Sequence, residues 1–151
     1  MVIDFHTHCF PDKIAERAID SLSDASGGLN PVTNGTVNDL LRLMEKEKID
    51  KSVVLNIATN ARQQHNVNDF AVSVNSGKLI AFGSVYPDSH DVLEELERIK
   101  NMGLKGVKFH PEYQNFYVDD VKMKPIYRKI SQLGLIAVFH AGLDLGYAPP
   151  Y

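Results

Sequence analysis

The residues best suited to chemistry are histidines that end apolar runs: His6 and His8 in VIDFHTHCF, His110 in GVKFHP and His140 in LIAVFHAG. A strand alternates its faces with period two, so Val2, Asp4, His6 and His8 are predicted to project one way. Ile3, Phe5, Thr7 and Cys9 then project the other way. Two imidazoles thus share a face. Imidazole is the commonest protein ligand for zinc and similar ions, and a catalytic site takes about three protein ligands with a fourth position open to water. His6, His8 and His140 supply that number. The competing reading makes each a separate core residue, yet two imidazoles on one face of a buried strand are costly unless both find partners.

The same alternation puts Lys108 and His110 on one face, with Val107 and Phe109 opposite. Lys108 has three readings: a cation for a substrate carboxylate, a carboxylated ligand bridging two metals, or a partner of an inward acid such as Asp4. His110, just before Pro111, meets substrate, steadies the metal ligands, or bonds locally as a loop histidine. Both stand as candidate catalytic residues. His65 and His90, in a helix and at a helix start, read as solvated. Cys9 points away from His8 and reads as a small buried hydrophobe. Asn56, Arg62, Tyr113 and Gln114 fall in loops after strands, where solvation is the expectation and substrate contact the alternative. The glycines form no dinucleotide or phosphate-binding pattern.

These residues need strands to carry them. After the first strand, Pro11 and Asp12 supply start signals for a helix bearing Ile14, Ala15, Ala18, Ile19 and Leu22 at helical spacing. Residues 25 to 35 gather Gly, Asn and Pro as a loop, and Thr36 is placed to cap a helix carrying Leu40, Leu41, Met44 and Ile49. A strand over 51–57, a helix over 63–75, a third strand over 78–87 and a helix over 90–103 follow. GVKFHP is a fourth strand, PIYRKISQLG its helix and LIAVFHAG a fifth strand, with Gly103 and Gly134 ending their helices. Strands alternating with helices predict an α/β chain of parallel βα units with right-handed crossovers. In a barrel of that kind, sites form at the C-terminal ends of the strands, where all these polar residues fall. A closed eight-stranded barrel needs about 250 residues, so 151 residues predict a partial barrel of about five strands.

The chain carries 44% hydrophobic residues, enough for one buried core. Its net charge of −3, with basic residues scattered among acids, favours neither nucleic acid nor an anionic membrane as partner. The single cysteine excludes an intrachain disulfide and fits a reducing, cytoplasmic setting. The first residues lack the pattern of a signal peptide, and no run has the length of a transmembrane helix. A small molecule is the expected partner. The open edges of the first and fifth strands also lead us to expect a homo-oligomer.

DFHTH, GVKFHP followed by EYQ, and FHAG, in that order at the ends of strands one, four and five, resemble the amidohydrolase superfamily. The resemblance is to the branch with aminocarboxymuconate-semialdehyde decarboxylase and spans Met1 to Tyr151. It implies a metal-dependent TIM barrel in which His6, His8 and His140 bind one divalent ion, usually zinc. It implies hydrolysis of an amide, ester or lactone-like bond by activated water, or non-oxidative decarboxylation with the same ligands. The family pattern adds a histidine on a sixth strand and an acid/base aspartate on an eighth, for which residues 1–151 leave no place. The expectation is therefore an N-terminal portion of one barrel domain, ending in the loop DLGYAPPY and inactive alone. The reading from another class is a structural or metal-binding half-barrel without catalysis.

Overall fold

The computed structural model describes residues 1–142 and 144. Strands and helices alternate along them: β1 (Ile3–Thr7), α1 (Asp12–Ala25), α2 (Val37–Lys46), β2 (Lys51–Leu55), α3 (Gln64–Val74), β3 (Leu79–Phe82), α4 (Val92–Asn101), β4 (Gly106–Phe109), α5 (Pro111–Gln114), α6 (Met123–Leu133) and β5 (Ile136–Phe139). The loop expected over 144–151 lies outside the described residues except at Asp144. Thr36 caps α2 as its spacing predicts, its Oγ1 accepting from the Asp39 amide at 3.2 Å. Gly134 ends α6 in the left-handed conformation, at φ +62°.

All strand pairs are parallel: β1 with β2, β2 with β3, and β4 with β5. Gly83, just past β3, joins the two groups. Its amide donates to the Gly106 carbonyl at 2.9 Å, and its carbonyl accepts from the Lys108 amide at 2.8 Å. The spatial order of the strands therefore follows their order in the chain, as predicted for successive right-handed βα units.

The two faces of the sheet bury different sets. Val54, Ala81, Val107 and Phe109 pack with helical Leu96, Ile99, Ile126 and Ile130. The intervening positions Val53, Leu55 and Phe82, with Ile80 and Val138, form a separate inner cluster. Lys108 pairs with Val138 across the β4–β5 ladder and so lies on the inner face, with Val107 and Phe109 on the other as the alternation requires. Edge positions stay open: Phe5 is 49% exposed and Ile136 51%.

β1 departs from simple alternation. Asp4 aligns with Ser52 but Thr7 aligns with Val54, so three steps on β1 match two on β2. This bulge breaks the predicted grouping of Asp4 with His6 and His8. It also lets Phe5 reach the inner cluster, where it meets Phe82 edge to face at 5.9 Å. Strands are shorter than their apolar runs, because residues after Phe82, Phe109 and Phe139 leave the ladder to build the site. The segment after His110 is a one-turn helix, α5, with Pro111 at its start and His110 as its cap.

The seam between β3 and β4 requires glycine. A Cβ on Gly106 would lie 2.3 Å from Cε2 of Phe82 and 2.5 Å from the Ile136 carbonyl oxygen. Gly106→Ala is expected to lower stability by about 1–3 kcal/mol through overpacking. Urea unfolding measures this, and an unchanged midpoint contradicts the packing described for the seam.

Candidate metal and substrate site

A group of buried amides and hydroxyls draws the strand ends together. The Gln114 side chain is fully buried; its Nε2 donates to the Ala58 and Val85 carbonyls at 2.8 and 2.9 Å, and its Oε1 accepts from the His110 amide at 3.0 Å. Ser84 Oγ accepts from the Ala58 amide at 3.0 Å and donates to the Lys108 carbonyl at 2.9 Å. Asn68 clasps Ser84 on both its amide and its carbonyl, at 2.8 and 2.9 Å. Asn56 is buried as well, donating to the Phe82 carbonyl at 2.9 Å. The expectation of solvated loops thus fails for Gln114 and Asn56, whose amides have backbone partners that only the fold brings near. Arg62 is exposed as expected.

Above this layer lies a cleft of about 1060 Å³ whose lining includes His6, His8, Lys108, His110, His140 and Asp144. All the candidate residues therefore converge on one space. His6 and His8 stand with ring centroids 5.2 Å apart. On the opposite strands Tyr113, His110 and His140 stack as three rings, with centroids 3.8 and 4.1 Å apart and interplanar angles of 5° and 14°. His110 Nδ1 accepts weakly from the Tyr113 amide at 3.5 Å. In that tautomer Nε2 carries the hydrogen and donates to Asp144 Oδ2 at 2.9 Å.

His110, His140 and Asp144 bring ligand atoms within 4.8 Å of one another, a group that does not include His6 or His8, which line the same cleft. Asp144 had no signal in the sequence beyond an acid four residues after His140. His140 Nε2 is buried without a hydrogen-bond partner, a costly state for an imidazole nitrogen that a metal ion relieves. The His8 Nδ1 bonds the Leu55 carbonyl at 2.8 Å. That bond commits Nδ1 to donation and makes Nε2 the lone-pair nitrogen, the arrangement by which metal-binding histidines are usually oriented. The donor chemistry therefore fits a divalent ion.

Burial favours the neutral form of His6, His8 and His110. Burial, then repulsion from His6, pushes His8 down to about 4. Burial also lowers His6, with Lys108 and His140 adding to it, and lowers His110, with His140 adding to it. Lys108 is wholly buried, its Nζ lacks a partner, and burial lowers its pKa. The pairing with Asp4 that the sequence allowed is not formed. Burial raises Cys9 to about 11, in keeping with an inert buried thiol.

His90 is solvated as expected, but His65 is not merely a surface residue. Its Nε2 lies 2.7 Å from Asp91 Oδ2 and its Nδ1 2.9 Å from Glu95 Oε2. Glu95 is fully buried and also meets Arg98 and Asn68. This cluster on the helical side fixes α3 to α4 and supports Asn68 from behind.

The His8 shift sets a pH dependence for the metal-free protein. Unfolded, the ring titrates near its ordinary value of about 6.5; folded, it resists protonation until about 4. Stability therefore falls as pH drops from the first value towards the second, and His8→Gln removes that part of the decline. NMR titration of the His8 ring checks this, and an ordinary titration midpoint contradicts it.

The amidohydrolase family profile matches residues 3–150. No curated protein matches the chain in sequence. Among solved structures, an amidohydrolase II superposes with a TM-score of 0.75 at 19% identity, covering 99% of this chain and 53% of that one. IDCase of Metarhizium anisopliae gives 0.70 at 19% identity, covering 95% of this chain and 51% of that one. The 4-oxalomesaconate hydratase of Rhodopseudomonas palustris gives 0.63 at 19% identity, covering 93% and 52%. The chain spans about half the length of these proteins, as a partial barrel should. By the match over nearly all its residues and by its fold, the chain belongs to the amidohydrolase family.

Proposed function

We propose that this chain contributes the metal-holding part of a hydrolase acting on an amide, ester or lactone-like bond. His6, His8 and His140 would hold one divalent ion, with zinc suited to such a nitrogen set. The observation that carries this reading is the buried, partnerless Nε2 of His140 in the same cleft as His6 and His8. The Asp144 carboxylate, held by His110 at 2.9 Å, offers an oxygen donor beside His140.

Such an ion supplies Lewis acidity, which polarises a carbonyl and lowers the pKa of water from about 15.7 towards 7. Orientation and shielding fall to the chain's own residues. The Leu55 carbonyl orients the His8 ring, and the Tyr113 and His110 rings brace His140 by stacking. Val53, Leu55 and Phe82 form a buried apolar cluster on the same inner face of the sheet as Lys108. That one structural neighbour is named a hydratase supports a reaction in which water is the reagent. Further βα units would complete the domain and bring the acid/base aspartate that the family pattern calls for. The exposed apolar edges at Phe5 and Ile136 support self-association of residues 1–151 on their own.

Two measurements test this reading. Elemental analysis of protein purified without chelator is expected to find about one equivalent of a divalent metal. His140→Ala, or His6→Ala with His8→Ala, lowers that content, metal affinity falling tenfold or more by analogy with the roughly 10–100-fold losses seen even for supporting groups. Metal content indifferent to these substitutions contradicts the proposal. Sedimentation of the 151-residue chain is expected to show association rising with concentration; a monomer throughout contradicts the role given to its edges.

A further inference from the structure

Asn56 leaves a polar atom open where the other buried side-chain amides leave none. Four such amides are buried among the described residues: Asn56, Gln64, Asn68 and Gln114. In three of them the oxygen accepts from a backbone N–H, Gln64 from Tyr86 at 3.1 Å, Asn68 from Ser84 at 2.8 Å and Gln114 from His110 at 3.0 Å. Asn56 Nδ2 donates to the Phe82 carbonyl at 2.9 Å, but its Oδ1 meets no donor among the described residues. The amide is held in this sense, because turning it over would set Oδ1 against the Phe82 carbonyl oxygen, acceptor against acceptor. Only 8% of the residue stays exposed, and it lines the cleft shared by His6, His8 and His140. A largely desolvated acceptor without a donor is costly, and here the fold fixes one at a binding cleft.

Its place in the chain adds to this. Asn56 follows Leu55, whose carbonyl orients the His8 ring, so one strand end positions both groups. The bonds that the proposed reaction could cleave differ at a single atom beside the carbonyl. An amide carries N–H there, whereas an ester or a lactone carries an oxygen whose lone pairs would face those of Oδ1.

We propose that Asn56 Oδ1 accepts the N–H of the substrate, so that the bond cleaved in this cleft is that of an amide and not of an ester or lactone. This rests on the reading of the cleft as a metal-dependent hydrolytic site and narrows its substrate class. Water adds across the C–N bond to give a carboxylic acid and an amine, and no further reactant is needed. A site that hydrogen-bonds a substrate N–H rejects an analogue lacking it more strongly than an apolar pocket rejects a change of size, because its own buried group is left unpaired. Asn56 is thus the residue that sets amide over ester.

The test titrates three cyclic probes into the zinc-loaded protein by calorimetry: δ-valerolactam, δ-valerolactone and N-methyl-δ-valerolactam. The lactam is expected to bind about tenfold or more tightly than either of the others. The lactone keeps the outline without the donor, and the N-methyl lactam keeps the amide carbonyl without the donor. Neither size nor carbonyl strength alone therefore gives that order. Asn56→Ala brings the lactam down to the lactone and leaves zinc content unchanged. In isotope-labelled protein the NMR signal of Asn56 Cγ moves when the lactam is added and not when the lactone is, a change that a purely structural tie to Phe82 does not produce. Equal affinities in the native protein, or no binding of the lactam, overturn the proposal, and this comparison needs no variant. So does a lactam preference that survives in Asn56→Ala. Loss of zinc from that variant while it stays folded also overturns it, because Asn56 would then be a ligand of the ion. Zinc in place with no preference for the lactam rejects this inference only, whereas metal content indifferent to the histidines rejects the functional reading beneath it.

Discussion

Three strands run out into different loops, and one buried amide ties their ends together. Gln114 donates to two carbonyls, one beyond β2 and one beyond β3, and accepts from the amide that follows β4. Each bond contributes a net of about 1 kcal/mol, but leaving one of these buried groups unpaired costs about 1–3 kcal/mol. The constraint is therefore strict: the loops can lie only where all the partners are met. Ser84 adds a second tie between the same strand ends, and Asn68 anchors Ser84 to the helical side. Glu95 accepts from Asn68 and is itself held by Arg98 and His65.

The histidines inherit this rigidity. His110 is fixed through its backbone by Gln114, and through its ring by Tyr113 on one side and His140 on the other. His8 is fixed by a strand carbonyl. Two buried polar atoms without partners, His140 Nε2 and Lys108 Nζ, line the same cleft, and a third, Ser52 Oγ, lies on β2 outside its lining. The layer beneath satisfies its hydrogen bonds, while the cleft retains two buried groups that gain from binding. Such division of labour is how a preorganised site holds its geometry without filling its own binding positions.

Much of this was legible in the sequence, for identifiable reasons. Helix faces, the Thr36 cap, the Gly134 stop and the five apolar runs are local signals, and each gave its element. The clustering of His6, His8, Lys108, His110 and His140 followed from parallel strands placing like ends together. What escaped depends on distant pairing. The bulge in β1 is one residue too many against β2, which alternation within β1 cannot reveal, and it put Phe5 rather than Asp4 on the inner face. Gln114 looks like any polar residue of a loop until Ala58 and Val85 arrive beside it. His65 reads as a solvated helix residue until Asp91 and Glu95 approach from the next βα unit.

The imidazoles at the strand ends should share one metal ion, and X-ray absorption at the zinc edge of the loaded protein measures that coordination shell directly. At least three imidazole nitrogens at about 2.0–2.1 Å are expected. A shell made of oxygens alone, or one unchanged when His140 is replaced, would show that the histidines do not hold the ion.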